Sequence, residues 1–359
     1  MIAILGQGIA GTTIALRLLE RGRPFVILDN SHKTSSSMVA AGLWNPIVFR
    51  RINKSWMADE FIRELESFYP KIESLIGANF YRPRPVWRLH GSKQEFDKWH
   101  EKKHLPGFKH YLNNPPLKMQ EFLGYASDYG EGEVRHTGYL DLPSFLLHSR
   151  EFFSNKGLLV ESEMGLQPSL DELTFVSNSQ HKIAQVIDCR GSQSAKSDWW
   201  SYLPFGLTKG EVLTIRCPQL FLDKTFNAGF FVLPLGNHVF RVGATFNWKD
   251  KSIEPTERGR HELSEKFEKY FDFDYEVLEH KAGIRPTVQD RRPLIGHHPK
   301  LKHLSLFNGL GTKGVMLAPY LSNHFLDFLI EGAPLIEEAN LGRFNHLFGQ
   351  INPQINHPN

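Results

Sequence analysis

The first 29 residues combine two apolar runs, a glycine-rich segment and one acidic residue. Ile2 to Leu5 is a short apolar run typical of a buried parallel strand, and it leads into Gly6-Gln7-Gly8-Ile9-Ala10-Gly11. Apolar residues then recur at helical spacing up to Glu20. A second apolar run, Phe25 to Leu28, ends at Asp29, 18 residues after the last glycine. This order predicts a βαβ unit with a glycine turn at the N-terminus of its helix.

A turn of this kind is suited to binding a pyrophosphate. Gly6 permits the tight turn, Gly8 lets the backbone approach the phosphates, and Gly11 allows the helix to pack closely on the strand. The free N–H groups of a helix N-terminus favour an anion. Asp29 is placed to accept the ribose hydroxyls and would repel an adenosine 2′-phosphate. The segment therefore predicts a dinucleotide site, and by itself it fits NAD and FAD equally well.

The composition is that of an ordinary soluble globular protein. Hydrophobic residues make up 41% and charged residues 23% of the 359 residues. The net charge of +3 neither requires nor excludes nucleic acid, because lysine and arginine are scattered. Cys189 and Cys217 have no CxxC or Cys/His spacing, so we predict no metal site. No run reaches the ~20 apolar residues of a membrane span, and we expect a cytoplasmic protein.

The pattern along the rest of the chain predicts that the nucleotide-binding part is interrupted twice. Residues 81–136 are rich in proline, aromatic and charged residues, and residues 210–248 alternate as antiparallel strands do. We predict an α/β chain (α+β overall) with a Rossmann-type domain and a discontinuous substrate domain built on an antiparallel sheet. The Rossmann-type domain is assigned to 1–80, 137–203 and 281–345, the substrate domain to 81–136 and 204–280, and a tail to 346–359.

Two further segments favour a flavin over a nicotinamide. Ser35 to Gly42 is a run of small residues that can wrap a bulky cofactor closely. Gly309-Leu310-Gly311-Thr312-Lys313-Gly314 opens the last long helix and offers a second set of backbone donors. Such donors suit the anionic edge of a reduced flavin ring.

The sequence resembles the D-amino-acid oxidase family of flavoenzymes, which includes glycine and sarcosine oxidases. The resemblance is carried by Gly6 to Gly11 with Asp29, Ser35 to Gly42, Asp188-Cys189-Arg190-Gly191, Gly283 to Gly296, and Gly309 to Pro319. It implies an FAD-binding domain and hydride transfer from the carbon beside an amine to the flavin, which oxidises a C–N bond. Covalent members attach FAD through a cysteine in the C-terminal part of the chain. Because no cysteine follows Cys217, we expect noncovalent FAD.

The resemblance also implies which residues bind the cofactor and the substrate. Arg285 is expected to bind a substrate carboxylate, with an ion pair to Asp290 as the alternative. Lys313 is expected near the flavin, Phe231 in the substrate pocket, and Arg51 at a second anion contact. The expected cofactor contacts are Gly6, Gly8, Ile9, Ala10, Gly11, Asp29, Asn30, Ser36, Ser37, Ala40, Ala41, Gly42, Cys189, Arg190, Gly191, Arg285, Gly309, Gly311, Thr312, Lys313, Gly314 and Val315.

Two other functions remain open from the sequence. The turn at 309–314 and Lys209-Gly210-Glu211-Val212 are similar to the FAD domain of the enzyme that oxidatively trims carboxymethylaminomethyl-uridine in tRNA. A charge of +3 is weak for a tRNA-binding protein, so we place tRNA oxidation second to oxidation of a small amine or amino acid. A non-enzymatic flavin-binding protein comes third.

Overall fold

The predicted βαβ unit lies in the middle of a six-stranded sheet. The computed structural model describes residues 1–31, 35–114, 128–162, 168–172 and 182–351. In it, α1 (Ile9–Glu20) connects the parallel strands β1 (Ile2–Leu5) and β2 (Phe25–Asp29). The order across the sheet is β11 (Leu159–Glu161), β2, β1, β12 (Gln185–Asp188), β19 (Leu304–Asn308) and β18 (Leu294–His297). Only the β18–β19 pair is antiparallel, so the carboxyl ends of β1, β2, β12 and β19 meet at one edge.

A second, eight-stranded sheet brings together residues from both predicted substrate segments. Its order is β17 (Glu276–Arg285), β13 (Thr208–Arg216), β16 (Val239–Gly243), β15 (Phe231–Gly236), β14 (Thr225–Asn227), β7 (Val86–Leu89), β9 (Glu131–Val134) and β8 (Leu112–Asn113). All neighbours are antiparallel except β14 and β7. Strand β17 runs through residue 281, where the sequence analysis set a boundary. The division into domains therefore stays a prediction.

The remaining elements connect and cover these two sheets. A three-stranded sheet contains β3 (Leu43–Trp44), β10 (Gly138–Leu140) and β6 (Tyr81–Pro83), and β4 (Ile47–Val48) pairs with β5 (Asn53–Lys54). The other helices are α2 (Ser36–Val39), α3 (Ala58–Ile76), α4 (Lys93–Lys102), α5 (Leu142–Asn155), α6 (Glu257–Glu268), α7 (Gly314–Glu331) and α8 (Asn345–Ile351). Within the described ranges, no helix is both long and apolar enough to span a membrane.

Each large sheet buries an apolar core against helices. Helices α1, α5 and α7 pack on the six-stranded sheet, and α3 packs against α7 in the same core; on α3, Phe61, Leu65, Phe68 and Ile72 recur at helical spacing and are buried. Helix α6 covers one face of the eight-stranded sheet through Leu263 and Phe267, which join the core of that sheet. The opposite face of the same sheet is left to form the wall of a cavity.

Candidate cofactor and substrate site

A cavity of about 430 Å³ lies between the carboxyl edge of the six-stranded sheet and the uncovered face of the eight-stranded sheet. The loops after β1, β2 and β12, the segment around α2, and the N-terminus of α7 line its first part. Strands β13 to β17 line the rest. The cavity therefore joins the predicted dinucleotide loop to the wall that carries Arg285.

The glycine loop after β1 is held by hydrogen bonds from both neighbouring segments. Gln7 N–H donates to Asp29 Oδ1 at 2.8 Å, and Ile9 N–H donates to Ser37 Oγ at 3.2 Å. Within the described part of the chain, the N–H groups of Gly8 and Ala10 have no hydrogen-bond partner, and both residues line the cavity. They are the donors that a helix N-terminus offers to an anion.

Gly11 lies behind this loop rather than in the cavity lining. A Cβ atom built at Gly11 would overlap the carbonyl oxygen of Gly6 and would lie 3.3 Å from Ile4 Cγ2. Gly6 itself has φ of 90°, in the left-handed region that favours glycine. Together these two glycines let α1 begin directly against β1.

Asp29 has an arginine partner that the sequence analysis missed. Its side chain is buried, and Oδ2 accepts a hydrogen bond from Arg150 Nη1 at 2.9 Å. Arg150 lies on α5 and also donates to Gln7 Oε1 at 3.0 Å and to Glu161 Oε2 at 3.2 Å. Arg150 is 121 residues from Asp29 along the chain, so no local pattern pointed to the pair.

Two other predicted cofactor segments line the same part of the cavity. The lining includes Asn30, Ser36, Ser37, Ala40, Ala41, Gly42, Cys189, Arg190 and Gly191. Gly42 has φ of 72°, and a Cβ atom there would overlap the Leu140 carbonyl oxygen. Arg190 Nη2 forms an ion pair with Asp188 Oδ2 at 2.7 Å.

Burial, with the neighbouring Asp188 carboxylate, raises the pKa of the Cys189 thiol well above its ordinary value, so the group is a thiol at neutral pH.

The second glycine turn places the start of α7 at the cavity. Gly311, Thr312, Gly314 and Val315 are lining residues, whereas Gly309 is not. Within the described residues, the N–H groups of Gly314 and Val315 have no hydrogen-bond partner. These donors and the positive end of the helix dipole favour negative charge at this end of the cavity.

Lys313 points away from the cavity that its neighbours line. Its ammonium group donates to Ser55 Oγ, and the residue is not among those lining the cavity. Burial lowers the pKa of Lys313 to about 8. Arg51, the other cation predicted near the flavin, is exposed and is also outside the lining. Roles for both residues at a flavin stay predictions.

Arg285 is a half-buried cation on the cavity wall without an acidic partner among the described residues. Its Nη1 donates to the backbone carbonyls of Lys209 at 3.3 Å and Thr245 at 3.2 Å. The guanidinium carbon lies 4.4 Å from the centre of the Phe246 ring. Burial lowers the pKa of Arg285 to about 10, which leaves the side chain charged at neutral pH.

Asp290, the alternative partner considered for Arg285, pairs with Arg343 instead. Asp290 Oδ2 accepts a hydrogen bond from Arg343 Nε at 2.9 Å, so this carboxylate does not neutralise Arg285. Phe231 lies on the same wall as Arg285 and lines the cavity, and its role in a substrate pocket stays a prediction. Arg285 therefore faces the cavity with its charge available to an anion.

The fold and the cavity are those of a dinucleotide-binding protein in which a second sheet lines the part of the cavity away from the glycine loop. The model of the FAD dependent oxidoreductase family, DAO, matches residues 1–327. The chain belongs to that family, and its cofactor is FAD. This confirms the resemblance to the D-amino-acid oxidase family and the predicted Rossmann-type fold.

Three curated relatives are similar to almost the whole chain. The bifunctional protein ThiO/ThiG of Trichormus variabilis is 23% identical, over 96% of this chain and 55% of its own length. The tRNA 5-methylaminomethyl-2-thiouridine biosynthesis bifunctional protein MnmC of Marinobacter nauticus is 22% identical, over 91% and 55%. A glycine oxidase of Pseudomonas aeruginosa is 22% identical, over 94% and 97%. The chain thus spans about half the length of the first two relatives.

A solved structure shows the same fold. The crystal structure of glycine oxidase from Geobacillus kaustophilus superposes with a TM-score of 0.78 and 18% sequence identity. The match covers 95% of this chain and 97% of that chain. The arrangement of both sheets is therefore shared with a known protein of this fold.

The residues of the cavity fit FAD. Free N–H groups at Gly8 and Ala10 suit the pyrophosphate, and the buried carboxylate of Asp29 lies at the end of β2, where a ribose is bound in this type of site. A second set of free N–H groups at Gly314 and Val315 suits the polar edge of a flavin ring. The cavity connects these two donor sets.

Proposed function

We propose that the protein oxidises the C–N bond of an amino acid or N-substituted amino acid, and that Arg285 binds the carboxylate of this substrate. One observation carries the proposal: Arg285 is half-buried on the cavity wall, and its guanidinium contacts backbone carbonyls and an aromatic ring but no acidic group among the described residues. A partly desolvated cation without an acidic partner is stabilised when a carboxylate enters, and a guanidinium binds carboxylates through two parallel hydrogen bonds. The glycine oxidase relative supports this class of substrate.

The chain needs little acid–base machinery for such a reaction. Bound FAD supplies the hydride acceptor. Arg285 would fix the carboxylate and with it the position of the amine-bearing carbon. The phenylalanines and glycines of the sheet wall would exclude water from that carbon. The free N–H groups of Gly314 and Val315 would hold the polar edge of the bound cofactor and stabilise negative charge on it.

We propose that the FAD is held without a covalent bond to cysteine. Cys189 directly follows β12, beside the glycine loop, and it is buried. Cys217 is buried in the core between the eight-stranded sheet and α6. Acid precipitation of the holoprotein is expected to release all of the flavin into the supernatant. Flavin that stays with the precipitated chain would overturn this assignment.

The role of Arg285 is tested by comparing substrates with and without a carboxylate. In Arg285→Ala, flavin reduction by the best amino acid is expected to lose at least about tenfold in kcat/KM, which is ~1.4 kcal/mol. Reduction by the matching amine, which lacks the carboxylate, is expected to change by less than threefold. Arg216→Ala, on the exposed far end of β13, is the matched control and is expected to behave as the wild type. Equal losses for both compounds in Arg285→Ala would contradict a carboxylate-binding role.

A second candidate function is oxidation of a modified uridine side chain in tRNA. It is supported by the similarity to the tRNA 5-methylaminomethyl-2-thiouridine biosynthesis protein, which covers 91% of this chain. Anaerobic incubation with tRNA that carries the carboxymethylaminomethyl group separates the two candidates. Bleaching of the flavin by this tRNA, together with no bleaching by any amino acid, would replace the first proposal with the second.

A further inference from the structure

Phe246 belongs both to the cavity wall and to the protein surface. It lines the cavity, yet it is 60% exposed, so it lies at the cavity mouth. The other two phenylalanines of this wall differ from it, because Phe230 is buried and Phe231 is only partly exposed. A single exposed hydrophobic residue is common on protein surfaces and does not by itself indicate a site. What distinguishes Phe246 is its contact with Arg285.

The pairing of the strands places Phe246 beside Arg285. Lys209 pairs with Asn247 on one side and with Ile284 on the other, so these three residues share one face of the sheet. Successive residues of a strand alternate between the two faces, which puts Phe246 and Arg285 together on the opposite face. The guanidinium carbon of Arg285 lies 4.4 Å from the centre of the Phe246 ring. The sheet therefore holds the ring and the cation side by side at the mouth.

Arg285 has one edge of its guanidinium left for a ligand. Both of its bonds to backbone carbonyls are made by Nη1. Across the described ranges, no residue accepts a hydrogen bond from Nε or Nη2. The N–H groups of Nε and Nη2 point in parallel, and such an edge binds the two oxygens of a carboxylate. The carboxylate of a substrate therefore binds on the Nε–Nη2 edge.

A carboxylate bound on this edge brings the rest of the substrate within reach of Phe246. In such a pair the carboxyl carbon lies about 4 Å from the guanidinium carbon. The centre of the Phe246 ring is 4.4 Å from the same guanidinium carbon, so it is at most roughly 8 Å from the carboxyl carbon. The ring of a benzyl group on the adjoining carbon is centred about 5 Å from the carboxyl carbon. Aromatic rings interact with their centres about 4.5 to 7 Å apart, so the two rings can meet.

The aromatic surface continues outward from Phe246. Trp248 is two residues further along, which places it on the same face, and it is 57% exposed. Its indole lies against Gly206, where a Cβ atom would be 3.9 Å from Trp248 Cζ3, and it is outside the cavity lining. A substrate group that extends past Phe246 therefore stays on an aromatic surface, and the enclosed part of the cavity does not limit its size.

We propose that Phe246 is a specificity-determining residue whose ring packs against an aromatic group of the substrate. The substrate carries this group either on the carbon beside its carboxylate or on its nitrogen. Ring-bearing amino acids are then preferred over glycine and sarcosine, because a second ring removes the exposed face of Phe246 from water. This inference rests on the proposed function, since Arg285 is assigned to the carboxylate. The test below does not require turnover, so failure of one proposal is distinguishable from failure of the other.

The test measures how the holoenzyme binds acids that lack the amine and therefore do not reduce the flavin. Two pairs of acids are titrated while the flavin absorption spectrum is followed, and the members of each pair differ by one phenyl group. 3-Phenylpropanoate and propanoate represent a ring on the side chain, and (benzyloxy)acetate and methoxyacetate represent a ring on the nitrogen substituent. In the wild type, the phenyl-bearing acid of at least one pair is expected to bind at least tenfold more tightly than its partner. The pair that shows this preference identifies where the substrate carries its ring.

Variants at Phe246 show whether this residue is the source of the preference. Phe246→Ala is expected to reduce the preference to less than threefold. The dissociation constant of the acid without a ring is expected to stay within about fivefold of the wild type, because an exposed contact between a ring and a cation contributes little. Phe246→Tyr keeps the ring and is expected to keep the tenfold preference. Phe221→Ala removes a ring that is 64% exposed and outside the cavity lining; it is the matched control and is expected to keep the full preference.

Three results would overturn the inference. They are a preference below threefold for both pairs in the wild type, the absence of any spectral change with either phenyl-bearing acid, and an unchanged preference in Phe246→Ala. Equal weakening of both acids in that variant is a case of the third result, and it would show that Phe246 only positions Arg285. If Phe246→Ala does not retain flavin, Phe246→Gln, which keeps a long side chain without the ring, decides by the same criterion. The proposed function fails by a different observation, namely a flavin that no amino acid or N-substituted amino acid reduces.

Discussion

Substitution of Gly210 by alanine displaces Arg285 without removing its charge. A Cβ atom built at Gly210 would overlap the Arg285 guanidinium, which lies directly over this residue. The overlapping atoms are at the far end of a flexible side chain, so the strand can stay in place while the guanidinium moves. The bonds from Nη1 to the Lys209 and Thr245 carbonyls, at 3.3 and 3.2 Å, are lost in that movement.

The size of the effect follows from what Arg285 does in the wild type. A hydrogen bond to a charged group is worth about 1.5 to 3 kcal/mol, and 1.4 kcal/mol is a factor of ten. Gly210→Ala is therefore expected to lower kcat/KM for the best amino acid by about ten- to a hundredfold. The free energy of unfolding is expected to change by less than ~1 kcal/mol, because no backbone atom is displaced.

Anaerobic stopped-flow reduction of the flavin measures kcat/KM, and urea unfolding of the holoprotein measures the free energy of unfolding. Gly107→Ala is the matched control, because the atom nearest to a Cβ atom built there is 3.9 Å away. A Gly210→Ala enzyme that reduces its flavin with wild-type kcat/KM would show that the observed position of Arg285 is not the one used in catalysis. A large loss of stability would show instead that the strand, and not the side chain, had moved.

Three further substitutions test other parts of the site. Gly11→Ala is expected to destabilise the holoprotein by about 1 to 3 kcal/mol in urea unfolding, because the new methyl group overlaps the Gly6 carbonyl; wild-type stability would refute the close approach of α1 to its loop. Arg150→Met removes a partner of Asp29 and is expected to weaken FAD binding about tenfold, measured by quenching of flavin fluorescence. An unchanged affinity for FAD would contradict the idea that Arg150 positions Asp29. Burial lowers the pKa of Lys313 from 10.5 to about 8, so the unfolded chain binds more protons than the folded chain between these pH values. The free energy of unfolding of the wild type is therefore expected to rise with pH across this window, relative to that of Lys313→Met. Parallel curves of unfolding free energy against pH would contradict the buried position of Lys313.

The local part of the fold could be predicted from the sequence. The βαβ unit follows from two apolar runs, a helical pattern and a glycine at a position where a side chain would collide with the backbone, Gly11. Alternation between 210 and 248 likewise predicted antiparallel strands, which are β13, β15 and β16. These elements are formed by residues that are close together in the chain, so the local sequence pattern is enough to predict them.

The contacts between distant segments could not be predicted. Arg150 reaches Asp29 from 121 residues away, and Arg88 reaches Asn227 from 139 residues away. Lys313 belongs to a turn that lines the cavity, but its side chain points to Ser55. In each case the direction of a side chain is set by tertiary packing, and residue type and spacing along the chain do not encode it.

Anaerobic reduction of the purified holoprotein shows directly whether the flavin accepts a hydride from a substrate that carries a carboxylate. The enzyme is mixed without oxygen with D- and L-amino acids, glycine, sarcosine and the corresponding amines that lack a carboxylate, and the visible absorption of the flavin is followed. At least one amino acid or N-substituted amino acid is expected to bleach the flavin, and its decarboxylated amine is expected to do so at least about tenfold more slowly. A flavin that every amino acid leaves oxidised, or that the amines reduce equally fast, would contradict it.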